Sequence, residues 1–257
     1  MEIKCGDYVT RNSYNNDTIF KVINIRKNVY YLKGVEVRLF ADAYLTDLEK
    51  VDYKINEEDD IIDLEAPMER DDYFYLIPKI LHFDGDKDYL SRCLDFYKKS
   101  GVVSFGKAVK ESELPNKIYD YLVEYNPDIV IITGHDAYYK KKGRMDSNSN
   151  YRNSENFCKS VRNARKYEKS HEKLVIIAGA CQSNYEEIIK SGANYASSPK
   201  RVNIHALDPA IIAVTIALTE KSKEINLLEM LEKTKYGKDG MGGLKQNGMM
   251  YVGYPRT

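Results

Sequence analysis

Two hydrophobic patterns divide the chain. Up to Val51, short runs of β-branched and aromatic residues alternate with polar turns, as in residues 18–27 (TIFKVINIRK), and helical periodicity is weak. From Tyr73 onwards, uninterrupted apolar runs alternate with segments whose apolar residues recur every three or four positions. The first pattern predicts β-hairpins, for which we expect a small SH3-like β-barrel. The second predicts an α/β domain.

The apolar runs of the second region read as buried strands. They are residues 74–84 (FYLIPKILHFD), 101–109 (GVVSFGKAV), 128–134 (DIVIITG) and 173–183 (KLVIIAGACQS). Apolar residues on one face predict the helices between them: Leu90, Cys93, Leu94 and Tyr97, then Leu114, Ile118 and Leu122, then Phe157, Val161 and Ala164. Uninterrupted apolar strands separated by amphipathic helices predict a parallel sheet covered by helices on both faces.

An acidic segment separates the two regions. Residues 56–72 contain EEDD, DLEAP and ERDD, a composition typical of a linker or of a solvated surface strap. We therefore expect a β-barrel at residues 1–55, an acidic linker at 56–72 and an α/β domain at 73–257.

Composition narrows the function classes. Lys+Arg 39 balance Asp+Glu 39, so no global basic field would gather nucleic acid or an anionic membrane. No window approaches the ~18 apolar residues of a membrane span, and the N-terminus lacks the pattern of a secretory signal. We expect a cytoplasmic protein without nucleic-acid or membrane partners, and the sequence leaves its oligomeric state open.

The cysteines give no sign of a scaffold or a metal site. Cys5, Cys93, Cys158 and Cys181 are widely spaced, with no Cys-x-x-Cys pair and no nearby histidine at zinc spacing. Walker, dinucleotide-binding and His-Glu-x-x-His motifs are also missing from the sequence. We therefore expect neither a cofactor nor a metal ion.

Polar residues follow three of the predicted strands. They are Asp84 and Asp86, His135 and Asp136, and Cys181. Ligands of open α/β sheets bind at the carboxyl ends of the strands, which makes these positions the first candidates for chemistry. A histidine and a cysteine at the same end of adjacent strands, about 4.8 Å apart, suit a base and a nucleophile.

Structural roles are the alternatives for these residues. A single cysteine ending a buried strand is usually a core residue, and a lone histidine is usually satisfied locally. The joint placement of His135 and Cys181 favours a catalytic pair. Structural or surface roles are predicted for the remaining candidates, although His205 could lie near the site: Cys5, Cys93, Cys158, His82, His171 and His205.

Asp84 is the candidate substrate-binding residue. At the end of the first strand of the sheet, its carboxylate would lie beside the candidate pair, where a substrate side chain could bind. Asp86 better suits the N-cap of the following helix. Asp136 and Asp208 are the next carboxylates to consider.

A long basic loop follows the candidate histidine. Residues 138–153 include Lys140, Lys141, Lys142 and Arg144. Loops longer than ~12 residues are usually functional or disordered. A lid, a self-cleavage site and a merely solvated loop are the alternatives.

Order and flanking residues suggest a family. An apolar strand followed by His135, then an apolar strand followed by Ala180-Cys181, resembles the caspase-like clan of cysteine proteases. Its members generally carry glycine after the histidine, whereas here Gly134 precedes it and Asp136 follows it. Longer blocks resemble the YabG family of sporulation-specific proteases over nearly the whole chain: GDYVTR, ITGHDAYY, KSVRNARKYEKSHEKLVIIAGACQSNYEE and SGANYASSPKRVNIHALDP.

The resemblance implies both a fold and an activity. The fold would be a caspase-like parallel sheet sandwiched by helices. The activity would be that of a cysteine endopeptidase of the mother cell, with Cys181 as nucleophile and His135 as general base and acid. It would process spore-coat or cortex-lysis proteins, with a preference for cleavage after arginine. The carboxylate of Asp84 would then meet the substrate guanidinium through two parallel hydrogen bonds.

Two alternatives stay open. A flavodoxin-like cysteine amidase also places a thiol after an apolar strand, although its histidine usually follows the cysteine in the chain. A non-catalytic spore-assembly adaptor would use the barrel to bind a partner and the α/β domain as a scaffold.

Overall fold

The computed structural model describes residues 3–53, 73–139 and 147–254. The chain divides into two compact units, Met1–Ile61 and Ile62–Thr257. The acidic linker expected at residues 56–72 lies outside the described residues, as do Lys140, Lys141, Lys142 and Arg144 of the basic loop.

The first unit contains a five-stranded antiparallel sheet. Its strands are β1 (Tyr8–Arg11), β2 (Phe20–Arg26), β3 (Val29–Gly34), β4 (Phe40–Tyr44) and β5 (Leu48–Lys50), in the order β4-β3-β2-β1-β5. Val9, Phe20, Val22 and Leu32 are almost fully buried on its inner face. The β-rich interpretation of this region is confirmed, and closure into an SH3-like barrel stays a prediction.

The second unit contains two sheets. In chain order, its strands are β6 (Phe74–Leu76), β7 (Ile80–Asp84), β8 (Ser104–Ala108), β9 (Ile129–Thr133), β10 (Val175–Ala178), β11 (Tyr195–Ser197), β12 (Met241–Gly243) and β13 (Tyr251–Gly253). β6 and β13 form an antiparallel pair. The other six strands form one sheet in the order β12-β11-β10-β9-β7-β8. Strands β7 to β11 run parallel, as predicted, and β12 adds an antiparallel edge.

Helices cover both faces of the large sheet. They are α1 (Lys87–Lys99), α2 (Leu114–Tyr125), α3 (Ser154–Tyr167), α4 (Tyr185–Lys190), α5 (Asp208–Leu218), α6 (Leu227–Glu232) and α7 (Gly237–Gly240). Alternate residues of a strand point to opposite faces of the sheet and pack in two separate hydrophobic cores. In β9, Ile129 and Ile131 pack with α1 and α5, whereas Val130 and Ile132 pack with α2 and α3. This two-sided burial explains why the central strands β9 and β10 are almost wholly apolar.

The strand order indicates where a ligand is expected. Numbered along the chain, β8-β7-β9-β10-β11 is the doubly wound order 2-1-3-4-5. Chain direction across this sheet reverses between β7 and β9, and in open sheets of this order ligands bind at that point, beside the carboxyl ends of the strands. Flavodoxin-like proteins share this order, so strand order alone does not separate the amidase alternative from a caspase-like enzyme.

The two arms of the long basic loop pair with each other. Tyr138 and Tyr151 form an antiparallel bridge, and their ring centroids are 5.1 Å apart. The backbone N–H of Tyr139 donates to the carbonyl of Asn150 over 2.8 Å. The base of the loop is therefore a small hairpin.

The helices of the described ranges were also compared with the length and apolarity that a membrane span requires. None of them meets both requirements.

Candidate active site

His135 and Cys181 lie beyond the carboxyl ends of two adjacent strands. β9 and β10 pair in parallel, with Ile132 opposite Ala178. β9 ends at Thr133 and β10 at Ala178, so His135 lies two residues past the first strand and Cys181 three past the second. The prediction that neighbouring parallel strands carry this pair at one edge of the sheet is confirmed.

A tight turn presents Cys181. Gly179 has a φ of 109° and Gln182 a φ of 57°, both in the left-handed region. The turn is closed by the N–H of Ala180, which donates to Oγ of Ser183 over 2.9 Å. Glycine suits position 179 because a β-carbon there would approach the backbone of β11, at Ser197, to 3.3 Å.

The sulfur of Cys181 is covered. The side chain is fully buried, and the N–H of Ile204 donates to Sγ over 3.3 Å. Residues 198–204, which we call the covering segment, also bind the turn, because the N–H of Gln182 donates to the carbonyl of Val202. The sulfur therefore has no solvent-accessible surface in this structure.

Arg201 holds the covering segment in place. Its Nε donates to the hydroxyl of Tyr151 over 2.7 Å, and its guanidinium also pairs with Glu186. A third bond runs from Nη1 to the carbonyl of Ser198 over 3.2 Å. Sequence reasoning did not single out this arginine, although it stands in the block SGANYASSPKRVNIHALDP.

His135 is held at its backbone and at its ring. Its N–H donates to Oε1 of Glu111 and its carbonyl accepts from Nδ2 of Asn153, both over 2.7 Å. The ring nitrogen Nε2 lies 3.3 Å from Oδ2 of Asp86. The ring of Tyr89 packs beside the imidazole, with the two ring centroids 5.8 Å apart. The residue is 8% exposed. The imidazole therefore occupies one defined position at the rim of the sheet.

Glu111 explains the glycine that precedes His135. A β-carbon on either Gly85 or Gly134 would lie 2.3 Å from Oε1 of Glu111. Only glycine at both positions lets this carboxylate settle between two strand ends and accept the N–H of His135. Sequence reasoning missed Glu111. The available signal was a glycine at the ends of two neighbouring strands.

Asp136 links three segments of the chain by hydrogen bonds. Its Oδ1 accepts the N–H groups of Ala137 and Asn153, over 2.9 and 2.7 Å. Its Oδ2 accepts the hydroxyls of Ser154 and Ser183, over 2.5 and 3.0 Å. The loop after β9, the N-terminus of α3 and the Cys181 turn therefore meet at one buried carboxylate. Burial raises the pKa of Asp136 above its ordinary value, and the hydrogen bonds oppose that shift.

We expect Asp136→Ala to lower the free energy of unfolding by about 3 kcal/mol or more, because four donors lose their acceptor inside the protein. Urea unfolding measures this loss. Asp136→Asn is the control, since its amide oxygen can keep the two backbone bonds. A stability of Asp136→Ala equal to that of the wild type would contradict the bridging role.

The raised pKa of Asp136 also predicts a pH dependence. The folded state holds this proton more tightly than the unfolded chain. The resulting stabilisation is complete below the ordinary pKa of 3.8 and is lost as the pH rises through the higher folded value. Asp136→Asn cannot ionise, so its stability relative to the wild type should improve across that window.

Asp84 is the last residue of β7 and is fully buried. Its Oδ2 accepts the hydroxyl of Thr133 over 2.9 Å, and its Oδ1 accepts the N–H of Asp86 over 2.8 Å. The ring of His82 lies beside it, with Nε2 3.8 Å from Oδ2. A substrate guanidinium would therefore have to exchange with bonds that Asp84 already makes.

Asp86 caps α1, as predicted. Its Oδ1 accepts the N–H groups of Asp88 and Tyr89, over 2.9 and 3.4 Å. Its second oxygen is the one that approaches the ring of His135. The sequence indicated the cap but gave no sign of the second contact.

The other histidines make local contacts. His82 is buried between the hydroxyls of Tyr97 and Thr133, each 2.8 Å from a ring nitrogen. His171 is exposed, as predicted, and approaches Arg165. The ring of His205 accepts the N–H of Leu207, two residues along the chain.

Of the other cysteines, two are buried on helices as predicted, whereas the expectation that Cys5 is buried was wrong. Cys93 and Cys158 are buried on α1 and α3, and Cys5 is exposed in the first unit. Burial raises the pKa of the Cys158 thiol, which lowers its thiolate fraction.

Among the described residues, no group of three or more His, Cys, Asp or Glu side chains could hold a metal ion.

Comparisons with known proteins identify the family to which the chain belongs. Residues 4–66 and 54–255 match the family model described as YabG peptidase U57. The chain is also 39% identical, over 286 aligned positions, to the sporulation-specific protease YabG of Bacillus subtilis (strain 168). That alignment covers 99% of each chain. This chain therefore belongs to the YabG family of sporulation proteases, peptidase family U57.

Proposed function

We propose that this chain is a cysteine endopeptidase with Cys181 as nucleophile and His135 as general base and acid. The observation that carries the proposal is the pairing of β9 with β10, which brings a histidine and a cysteine to the same edge of the sheet in a member of a peptidase family. The sulfur attacks the scissile carbonyl to form an acyl-enzyme, and His135 protonates the departing amine. Water then hydrolyses the acyl-enzyme, with His135 as base.

The backbone donors of the site support one assignment for the oxyanion. The N–H of His135 is bound to Glu111, and the N–H of Ala180 is bound to Ser183. Neither group is assigned as a donor. We assign the N–H of Cys181 to the oxyanion because the amide of the nucleophile's own residue lies next to the tetrahedral carbon in acyl transfer, and a second donor at the same edge of the sheet would complete the site.

The amidase and adaptor alternatives predict different behaviour. In flavodoxin-like amidases the histidine usually follows the cysteine, whereas here His135 comes first. An adaptor would have no thiol selected for reactivity. Membership of a peptidase family favours the protease.

We also propose that the enzyme cleaves after arginine in spore-coat or cortex-lysis proteins of the mother cell. Four carboxylates lie at the ends of β7, β8 and β9 or just beyond them: Asp84, Asp86, Glu111 and Asp136. Several acidic groups at one edge of the sheet favour a cationic side chain. Asp84 is the residue to which we assign the contact with the arginine.

An arginyl electrophile tests the proposed function. We expect a peptide with a C-terminal arginyl acyloxymethyl ketone to modify Cys181 alone, as determined by peptide mass mapping. The aspartyl analogue of the same reagent is the control and should leave the protein unmodified. Adducts spread over the exposed Cys5, or no adduct at all, would favour the adaptor.

A further inference from the structure

The ring of His135 contacts a carboxylate that the proposed reaction does not use. Nε2 of His135 lies 3.3 Å from Oδ2 of Asp86, and each side chain is only 10% exposed. The limited exposure keeps competition from water low. The contact is therefore part of the folded site rather than a surface ion pair.

Asp86 is itself fixed by the fold. Its other oxygen, Oδ1, accepts two N–H groups in the first turn of α1, from Asp88 and Tyr89. The ring of Tyr89, from the same turn, packs against the imidazole. The N-terminus of α1 thus aims a carboxylate oxygen and an aromatic ring at His135.

The chemistry of the two groups determines which ring nitrogen carries the proton. A carboxylate only accepts hydrogen bonds, so Nε2 of His135 must be the donor in this contact. A neutral imidazole has one N–H and one acceptor nitrogen, which leaves Nδ1 as the acceptor. A general base needs that unprotonated nitrogen.

We propose that Asp86 is a positioning residue that holds His135 in its Nε2–H tautomer, so that Nδ1 receives the proton of Cys181. This inference rests on the catalytic pair proposed above. Asp86 does not touch the reacting atoms. It acts through the orientation and protonation pattern of the imidazole.

Nitrogen NMR of the ring tests the tautomer directly. The protein is labelled with ¹⁵N-histidine in a Cys181→Ala background, which prevents self-cleavage, and His135→Gln assigns the His135 signals. At a pH where the ring is neutral, we expect Nε2 of His135 to give the protonated-nitrogen signal. In Asp86→Asn, whose amide can donate to Nε2, the Nδ1–H form should gain population.

Two further variants complete the test. Asp88→Asn removes a carboxylate from the same turn without altering Asp86, and its tautomer should match that of the parent protein. Asp86→Ser keeps a residue favourable for capping while it loses the reach to His135, so a destabilised helix cannot imitate the effect. A proton on Nδ1 in the parent protein, or a tautomer that neither Asp86 variant changes, would overturn the proposal.

Kinetics provide the second readout. With Cys181 present, we expect kcat of Asp86→Asn to fall by about 10²-fold or more while KM changes by less than about twofold. Asp88→Asn should keep both values. Persistent cleavage by Cys181→Ala would refute the catalytic pair itself. An inactive Cys181→Ala together with an unchanged kcat in Asp86→Asn would refute only the positioning role.

Discussion

Cys181→Ala is expected to abolish peptide cleavage, with a loss of about 10⁴-fold or more in kcat, because no other group can form the acyl-enzyme. The side chain is fully buried, so its loss should also cost about 1 kcal/mol of stability. Cleavage of an arginyl peptide measures the first effect, and urea unfolding followed by circular dichroism measures the second.

Cys158→Ala is the matched control for this substitution. It removes a sulfur that is also fully buried, on α3, so its stability loss should be comparable while its activity persists. His135→Ala should lose activity nearly as completely as Cys181→Ala. A folded Cys181→Ala protein that cleaves at the wild-type rate would eliminate the catalytic pair.

Asp84→Asn is expected to reduce kcat/KM for arginyl peptides by about 10²-fold or more. A guanidinium that is desolvated without its partner carboxylate loses about 3–5 kcal/mol. Asparagine can still accept the N–H of Asp86, so the turn after β7 should persist. Kinetics with arginyl, lysyl and neutral peptides measure the effect, and alkylation of Cys181 by a small neutral reagent should be unchanged.

A comparison with Asp86→Asn distinguishes a residue that binds the substrate arginine from one that positions His135. Asp86→Asn should lower kcat for all peptides alike, because it acts through His135, whereas Asp84→Asn should act selectively on arginyl peptides. A uniform loss in Asp84→Asn would mean that Asp84 supports the sheet through Thr133 and Asp86. Asp136 and Asp208 would then be the next carboxylates to test as the pocket residue.

The large sheet was predictable because its central strands are buried on both faces. Such strands read as continuous apolar runs, as in β9 (IVIIT) and β10 (VIIA). The common edge of His135 and Cys181 followed from the same runs, since parallel strands end on one side of a sheet. The hairpins of the first unit were predictable from short runs of β-branched and aromatic residues that alternate with polar turns. Barrel closure depends on pairing between distant strands, which local patterns do not encode.

The partners of the site residues could not be predicted from local patterns. Glu111 reaches His135 across 24 positions of sequence, and Ser183 reaches Asp136 across 47. Neither side chain belongs to a periodic run or to a motif of fixed spacing. The covering segment was missed for the same reason, because Ile204 reaches Cys181 through its backbone N–H and carbonyl groups, across 23 positions of sequence.

Coverage of the sulfur makes chemical modification of Cys181 a measure of conformational exchange. While closing is faster than alkylation, the observed alkylation rate equals the rate for an exposed thiol multiplied by the fraction of open molecules. At high reagent concentration the rate should reach a plateau, which is the rate of the motion that exposes the thiol. Measured across temperature, the plateau would give the activation enthalpy of exposing the thiol, independently of any peptide substrate.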